Sequence, residues 1–334
     1  MDKNVKKIID EAMNRRLLEA AEIKTLLALP ANSEESFYAR FAALQINQAV
    51  MDGKAEIHGQ VGVNSGPCGR NCSFCSFAAA NRLFKEQRVE ATEEIIEKCV
   101  RLQAEGANAI YLMATATLNF PEFLDISSQV KKSLDPETVL VANIDDFGYP
   151  EAVALKEVGF SGVYHAVRLG EGHTTRIPLQ KRLDTIAAAH KADLKVGTCL
   201  EPVGPEHSLD ELVEKIIITR EIHPAFSGAM RRTPISDTAL SSWGKVSEAR
   251  MAHIVAVVRL ATGYEVAGNC THEPNTLGVT ASANLLWAEV GSNPRDTVID
   301  TESGRGFDMA RCRNILCEAD IELLKGPSQM FAKP

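Results

Sequence analysis

From about residue 55 onward the chain keeps exchanging one kind of segment for another: a short β-branched, apolar run, then a longer amphipathic stretch. "AEIHGQVGV" (55–63) reads as a strand, and "EATEEIIEKCVRLQAEG", closed by Gly106, as a helix. The pair recurs as "ANAIYLMATA" with "PEFLDISSQVKKSL", "TVLVANID" with "PEAVALKEVG", "SGVYHAVRL" with "LQKRLDTIAAAHKAD", and "LKVGTCLEPV" with "SLDELVEKIIITREI". It returns in "FSGAMRRTP" with "KVSEARMAHIVAVVRLATG", in "YEVAGNCTHE" with a short helical piece near 276–284, and in "NLLWAEVG" with "DMARCRNILCEAD". Strands that alternate with helices pair in parallel through right-handed crossovers. Eight such rounds predict an α/β fold, a (β/α)8 barrel of the TIM type. The competitor is an open doubly wound sheet, weakened in its dinucleotide-binding form because no GxGxxG follows the first strand. Residues 1–52 read as an N-terminal helical extension, with "RRLLEAAEIKTLLAL" at helical spacing, and 53–334 as the barrel with its C-terminal helix.

A barrel carries its chemistry on the loops after the strands. "CGRNCSFC" (68–75) follows strand one, "TCLEPVGPEH" comes from strand five, "RRTP" from strand six and "NCTHEP" from strand seven. Cys68, Cys72 and Cys75 are spaced C-x3-C-x2-C, and thiolates three and four residues apart on a loop can turn toward one centre. A structural zinc site normally takes four ligands, often as two C-x2-C halves, and no second half exists here. A [4Fe–4S] cluster held by three cysteines keeps one iron open to a small molecule. Two readings therefore stand: a structural site completed by a distant fourth ligand, as in a non-enzymatic metal-stabilised binding protein, or an open cluster.

Lys and Arg number 36 against 44 Asp and Glu, a net charge of −8, which opposes a nucleic-acid partner. No apolar run approaches the roughly 18 residues that span a bilayer, so no membrane association is expected. Eight cysteines without a secretory signal point to a reducing, cytoplasmic setting.

With the triad in place, the chain resembles the radical S-adenosylmethionine (SAM) superfamily, in which C-x3-C-x2-C binds a [4Fe–4S] cluster and an aromatic precedes the last cysteine, as Phe74 does here. The resemblance implies that SAM chelates the open iron and that one electron cleaves it to methionine and a 5′-deoxyadenosyl radical. Over about residues 55 to 300, and in the N-terminal helices, the chain is most similar to biotin synthase and its relatives. The similarity is densest at "HTTRIPLQKRLDTI" (173–186), "LKVGTCLEP" (194–202) and "ASANLLWAEVGSNPRD" (281–296). It implies that Arg182 holds the SAM carboxylate and Phe74 lies near the adenine. The plain alternative for Arg182 is a solvated helix arginine beside Lys181. "VRLGEG" resembles an Arg–Glu element of hydrogenase maturases and methylornithine synthase, which makes Arg168 and Glu171 candidates for SAM or substrate, or else a surface ion pair.

The biotin-synthase pattern also fails in one respect. Its auxiliary [2Fe–2S] cluster uses cysteines on strands two, three and five, whereas "YLMATAT" and "VLVANID" carry none and only Cys199 remains. A second Fe–S cluster then has to draw on Cys199, Cys270, Cys312 and Cys317. Cys312 and Cys317 stand about 140° apart on a helix and do not serve one cluster together unless that helix is broken. Cys99, mid-helix, is expected in the core or on a half-buried surface. Weaker candidates are Asp145 and Asp146, for ribose or substrate or as helix caps; Arg231 and Arg232, for a substrate carboxylate; and His272 and Glu273, for substrate or as a solvated turn. The reaction the resemblance implies is hydrogen abstraction from an unactivated carbon followed by sulfur insertion, or a rearrangement or cleavage without sulfur. It also implies a small-molecule or lipoyl-type substrate, an electron donor such as flavodoxin or ferredoxin, and a partner radical SAM subunit if the two-component lipoyl synthases are the nearer type.

Overall fold

The computed structural model describes residues 1–236, 238–296 and 307–332. Eight parallel strands form the centre: β1 Glu56–Gly62, β2 Ala109–Met113, β3 Val139–Asn143, β4 Gly162–Tyr164, β5 in two pieces (Lys195–Gly197 and Leu200–Val203), β6 Phe226–Arg231, β7 Gly268–His272 and β8 Leu285–Gly291. Each pairs with the next in chain order, and β8 pairs with β1 from Glu56↔Leu285 to Gly62↔Gly291. The sheet closes, so the barrel expectation holds and the open sheet does not. Between the strands run α4 Thr92–Ala104, α5 Phe120–Ser133, α6 Tyr149–Val158, α7 Leu179–Lys191, α8 Leu209–Glu221, α9 Glu248–Thr262, the single turn α10 Thr276–Val279 and α11 Met309–Glu318.

Strand alternation sorts the side chains. Ile57 and Val61 face the helical layer, while Glu56, His58 and Gln60 point inward. At the base the chain's last described segment plugs the barrel. Ser328 Oγ (2.5 Å) and the Gln329 amide (2.7 Å) donate to the buried Glu56 carboxylate, which also meets His58 Nε2 at 2.7 Å. Gly162 is needed here, because a Cβ would stand 2.5 Å from the Phe331 ring. With the base filled by Met330 and Phe331, the interior opens toward the C-terminal ends of the strands.

The N-terminal helices are α1 Lys3–Met13, α2 Ala20–Leu27 and α3 Glu34–Met51, started by side-chain caps from Asp2 and Ser33 and a capping box at Glu19. The stretch 15–29 is thus not one helix. Arg15 takes a left-handed φ of 66°, and α2 begins only at Ala20. These helices share an apolar cluster with α8 and α9, in which Ile9, Ile23, Leu27 and Ile46 pack with Val255 and Val258. Met251 to Thr262 are all buried, because α9 is covered by the barrel on one side and by α1–α3 on the other. No described helix is long and apolar enough to cross a membrane.

Candidate active site

The cysteine loop leaves β1 at Gly62, where any Cβ would overlap the Ser292 backbone. A two-residue ribbon, Asn64–Ser65 against Arg88–Val89, closes the base of the excursion. Inside it the backbone is tied down at every few residues. Cys68 N donates to Phe77 O (2.6 Å), Ala79 N to Cys68 O (3.0 Å) and Cys75 N to Cys72 O (2.9 Å). Three further bonds come from distant elements: Ser73 N to Thr174 O (2.7 Å), Arg176 N to Arg70 O (2.9 Å) and Ser76 N to Pro294 O (2.8 Å). Asn71 sits at φ 48°, a left-handed position that asparagine tolerates. The result is a loop whose three cysteines, with Phe74, line one cavity of about 220 Å³ at the open end of the barrel.

Among the described residues no three His, Cys, Asp or Glu side chains converge on the position of a single metal ion. A [4Fe–4S] cluster attaches each cysteine to a different iron, so its ligands stand farther apart than those of one ion. The three thiols line the cavity, whereas the Cys312 thiol is held against Trp287 O outside the barrel. The loop therefore fits a cluster and gives no support to a mononuclear zinc site. Burial pushes the Cys75 thiol up to about 12 and raises that of Cys72. Loading the site accordingly releases protons.

Arg182 is not a solvated helix residue. It is buried, with Nη1 3.1 Å from Asp146 Oδ1 and Nε 3.3 Å from Glu171 Oε2, while Nη2 makes no hydrogen bond to the described residues and the side chain lines the cavity. Asp146 also meets His165 Nε2 at 3.0 Å. Burial alone would raise the Asp146 carboxyl, but the His165 bond and the Arg182 charge outweigh it and bring it to about 2. Asp146 is thus neither a helix cap nor a solvent-facing group.

Arg168 and Glu171 do not form a side-chain pair, which corrects the surface-pair reading. Glu171 is buried behind the cavity wall, accepting from Arg168 N (3.0 Å) and Thr175 Oγ1 (2.6 Å). Arg168 faces the cavity with Nε 3.1 Å from Glu201 Oε1. Burial works against its charge, yet Glu201 holds it firmly protonated. Glu201 in turn accepts from Tyr164 OH at 2.6 Å.

Strand alternation places Gly197, Cys199 and Glu201 on one face of β5, and that face is the inner one, so Cys199 lines the cavity. There its Sγ lies 3.3 Å from Cys270 Sγ of β7, with both side chains buried. The structure does not bring Cys312 or Cys317 to this pair. Helix α11 packs outside β8, so Cys312 is buried in the layer between strands and helices, 3.2 Å from Trp287 O, and Cys317 is exposed. Cys99 is core, its thiol pushed up to about 12 by burial.

The remaining candidates occupy the cavity mouth. Arg232 lines it, paired with Glu206, whereas Arg231 is held off by Glu248 and Glu273. Glu273 is no solvated turn: Lys245 and Arg231 overcome its burial and hold it at about 2. His272 faces the cavity against Arg295. Residues not singled out beforehand include Gln60, Asn143, Tyr164, Glu201 and Glu289; Asn143 Nδ2 reaches Gln60 Oε1 at 2.9 Å, and Gln60 Nε2 reaches Glu289 Oε1 at 3.3 Å. Their signal was the inward register of each strand, legible once one inner residue per strand is known.

Residues 65–217 match the Radical SAM superfamily. The chain is 27% identical over 265 residues to biotin synthase of Pelotomaculum thermopropionicum, covering 73% of this chain and 80% of that one. It is 24% identical over 257 residues to biotin synthase of Hyphomonas neptunium, covering 71% and 78%. Among solved structures it resembles HydG, a maturase of the [FeFe]-hydrogenase, with a TM-score of 0.77 and 16% identity over 96% of this chain and 75% of that one. Methylornithine synthase (PylB) gives 0.77 and 15% identity over 97% and 98%. At these identities the two structures speak for the fold.

Proposed function

Because this chain is a radical SAM enzyme, with its radical SAM domain across residues 65–217, we propose that it takes hydrogen from an unactivated carbon of a small substrate in the barrel cavity and installs sulfur there. When bound, the [4Fe–4S] cluster and SAM supply the one-electron cleavage from which the hydrogen-abstracting radical derives. Cys68, Cys72 and Cys75 hold the cluster. Arg182, anchored by Asp146 and Glu171, turns its remaining Nη2 toward the SAM carboxylate, and Phe74 flanks the adenine. Met113, Ile144, Met230 and Trp287 make the cavity wall largely apolar and keep water from the reacting carbon. An external one-electron donor of the flavodoxin or ferredoxin type belongs to the same proposal, as does a partner radical SAM subunit if the substrate is of the lipoyl type.

The observation that carries sulfur insertion is the Cys199–Cys270 pair, two sulfurs 3.3 Å apart inside the cavity that the triad lines. Two thiolates on one iron, with bonds of about 2.3 Å at tetrahedral angles, stand roughly 3.7 Å apart, so a shift of a few tenths of an ångström suits the pair to a sulfur-donating cluster. One observation favours a second reading, rearrangement or cleavage without sulfur: with Cys312 and Cys317 elsewhere, the cavity offers that cluster two cysteines and no more among the described residues. Iron analysis separates the two. A variant with Cys68, Cys72 and Cys75 all changed to Ala is expected to retain iron after anaerobic reconstitution, and Cys270→Ala added to it to remove most of that iron. A triple variant that binds no iron leaves rearrangement or cleavage.

A further inference from the structure

We propose that the surface over the cysteine loop, centred on Arg82, Lys85 and Arg176, is the docking site of an acidic one-electron carrier protein. The proposal rests on the radical-cluster reading of Cys68, Cys72 and Cys75. The chain as a whole is acidic, at −8. Yet Arg82, Lys85 and Arg176 are exposed cations with no ion-pair partner among the described residues. The exposed stretches that bear them, 79–88 and 172–181, contain a single acid, Glu86.

Their place in the fold is what gives the charge a use. Both stretches are bonded directly to the cysteine loop. Ala80 N donates to Asn71 Oδ1 (2.8 Å) and Asn81 Nδ2 to Cys75 O (2.8 Å), two residues and one residue before Arg82. On the other flank Arg176 N donates to Arg70 O (2.9 Å), within the triad itself. The cations therefore stand on exposed segments bonded to both flanks of the loop whose inner side faces the cavity. The loop and its flank also expose small residues, Gly69, Ala79 and Ala80, and a Cβ at Gly69 would meet nothing within 4 Å. A partner's backbone can approach the loop closely there. Phe77 and Phe84 are packed beneath against each other, so the patch offers no exposed aromatic of the kind on which nucleic-acid bases stack.

The transfer is simple to balance. One electron leaves the reduced carrier and enters the cluster; no bond forms or breaks at the interface and no proton moves. Unpaired positive charge on both flanks of the loop, on a negative protein, steers an acidic carrier to this face and away from the rest of the surface.

The test uses reconstituted holoenzyme and a variant carrying Arg82→Glu, Lys85→Glu and Arg176→Glu. Cluster reduction is followed by absorbance with reduced flavodoxin or with dithionite. With flavodoxin the wild-type rate is expected to fall at least several-fold between about 50 and 300 mM salt, and the variant to be slower by about tenfold or more at low salt. With dithionite the two proteins are expected to match. Equal rates with flavodoxin, or a wild-type enzyme that flavodoxin does not reduce, overturn the docking site. A cluster that dithionite fails to reduce in the wild type counts instead against the radical-cluster reading on which the proposal rests.

Discussion

Arg182 and Asp146 form an ion pair 3.1 Å long between side chains that are 5% and 0% exposed, and Glu171, equally buried, completes it from the other side of the guanidinium. Removing the arginine strands two carboxylates away from water. Arg182→Ala is therefore expected to cost about 3–5 kcal/mol of stability as well as SAM affinity. A melting curve beside a SAM-binding isotherm checks this. An unchanged melting temperature with lost affinity would mean that the pair contributes nothing to the fold.

Gly228 stands at φ 124°, and a Cβ there would overlap the backbone of Cys270. The close approach of β6 to β7 at this point is what sets Cys270 opposite Cys199. Gly228→Ala is expected to destabilise by at least about 2 kcal/mol and to lower iron retention in the variant lacking the triad. Chemical denaturation and iron analysis report the two effects separately.

Much of this fold was readable because the hydrophobic period switches from two to 3.6 and back eight times. The triad was readable because its spacing is local. Arg182's surroundings were not, since Asp146 arrives from the preceding strand–helix round, and His165 and Glu171, though in Arg182's own round, reach it only through the fold of the loop between strand and helix. Cys312 shows the same limit. Helical periodicity marks its buried face, but nothing local says that this face meets the outside of β8 and not the cavity. Cys199 and Cys270 are the contrary case: alternation groups Cys199 with Gly197 and Glu201 on β5 and Cys270 with Gly268 on β7, and both faces turn out to be the inner ones.

His253 joins α9 to the N-terminal helices, 2.7 Å from Ser36 Oγ and 2.8 Å from Leu26 O. Burial lowers its pKa from 6.5 to about 4, with the nearby Arg250 and Arg40 charges adding to the effect against the Leu26 bond. The folded protein holds it neutral while the unfolded chain takes up a proton, so stability is lost as pH falls from about 6.5 toward 4. At pH 5 the loss is about 2 kcal/mol. Denaturant unfolding at pH 7 and pH 5 measures it. His253→Gln should flatten the difference, and an equal slope in that variant would assign the pH dependence to other groups.

Reductive cleavage of SAM is the event on which every functional statement here depends. The direct measurement is 5′-deoxyadenosine formed by anaerobically reconstituted protein with SAM and dithionite, compared with a Cys72→Ala variant shown by circular dichroism to be folded. The wild type is expected to release 5′-deoxyadenosine and methionine in equal amounts, and the variant neither. A wild type with a full cluster that forms no 5′-deoxyadenosine, or a Cys72→Ala variant that forms as much as the wild type, would contradict the assignment.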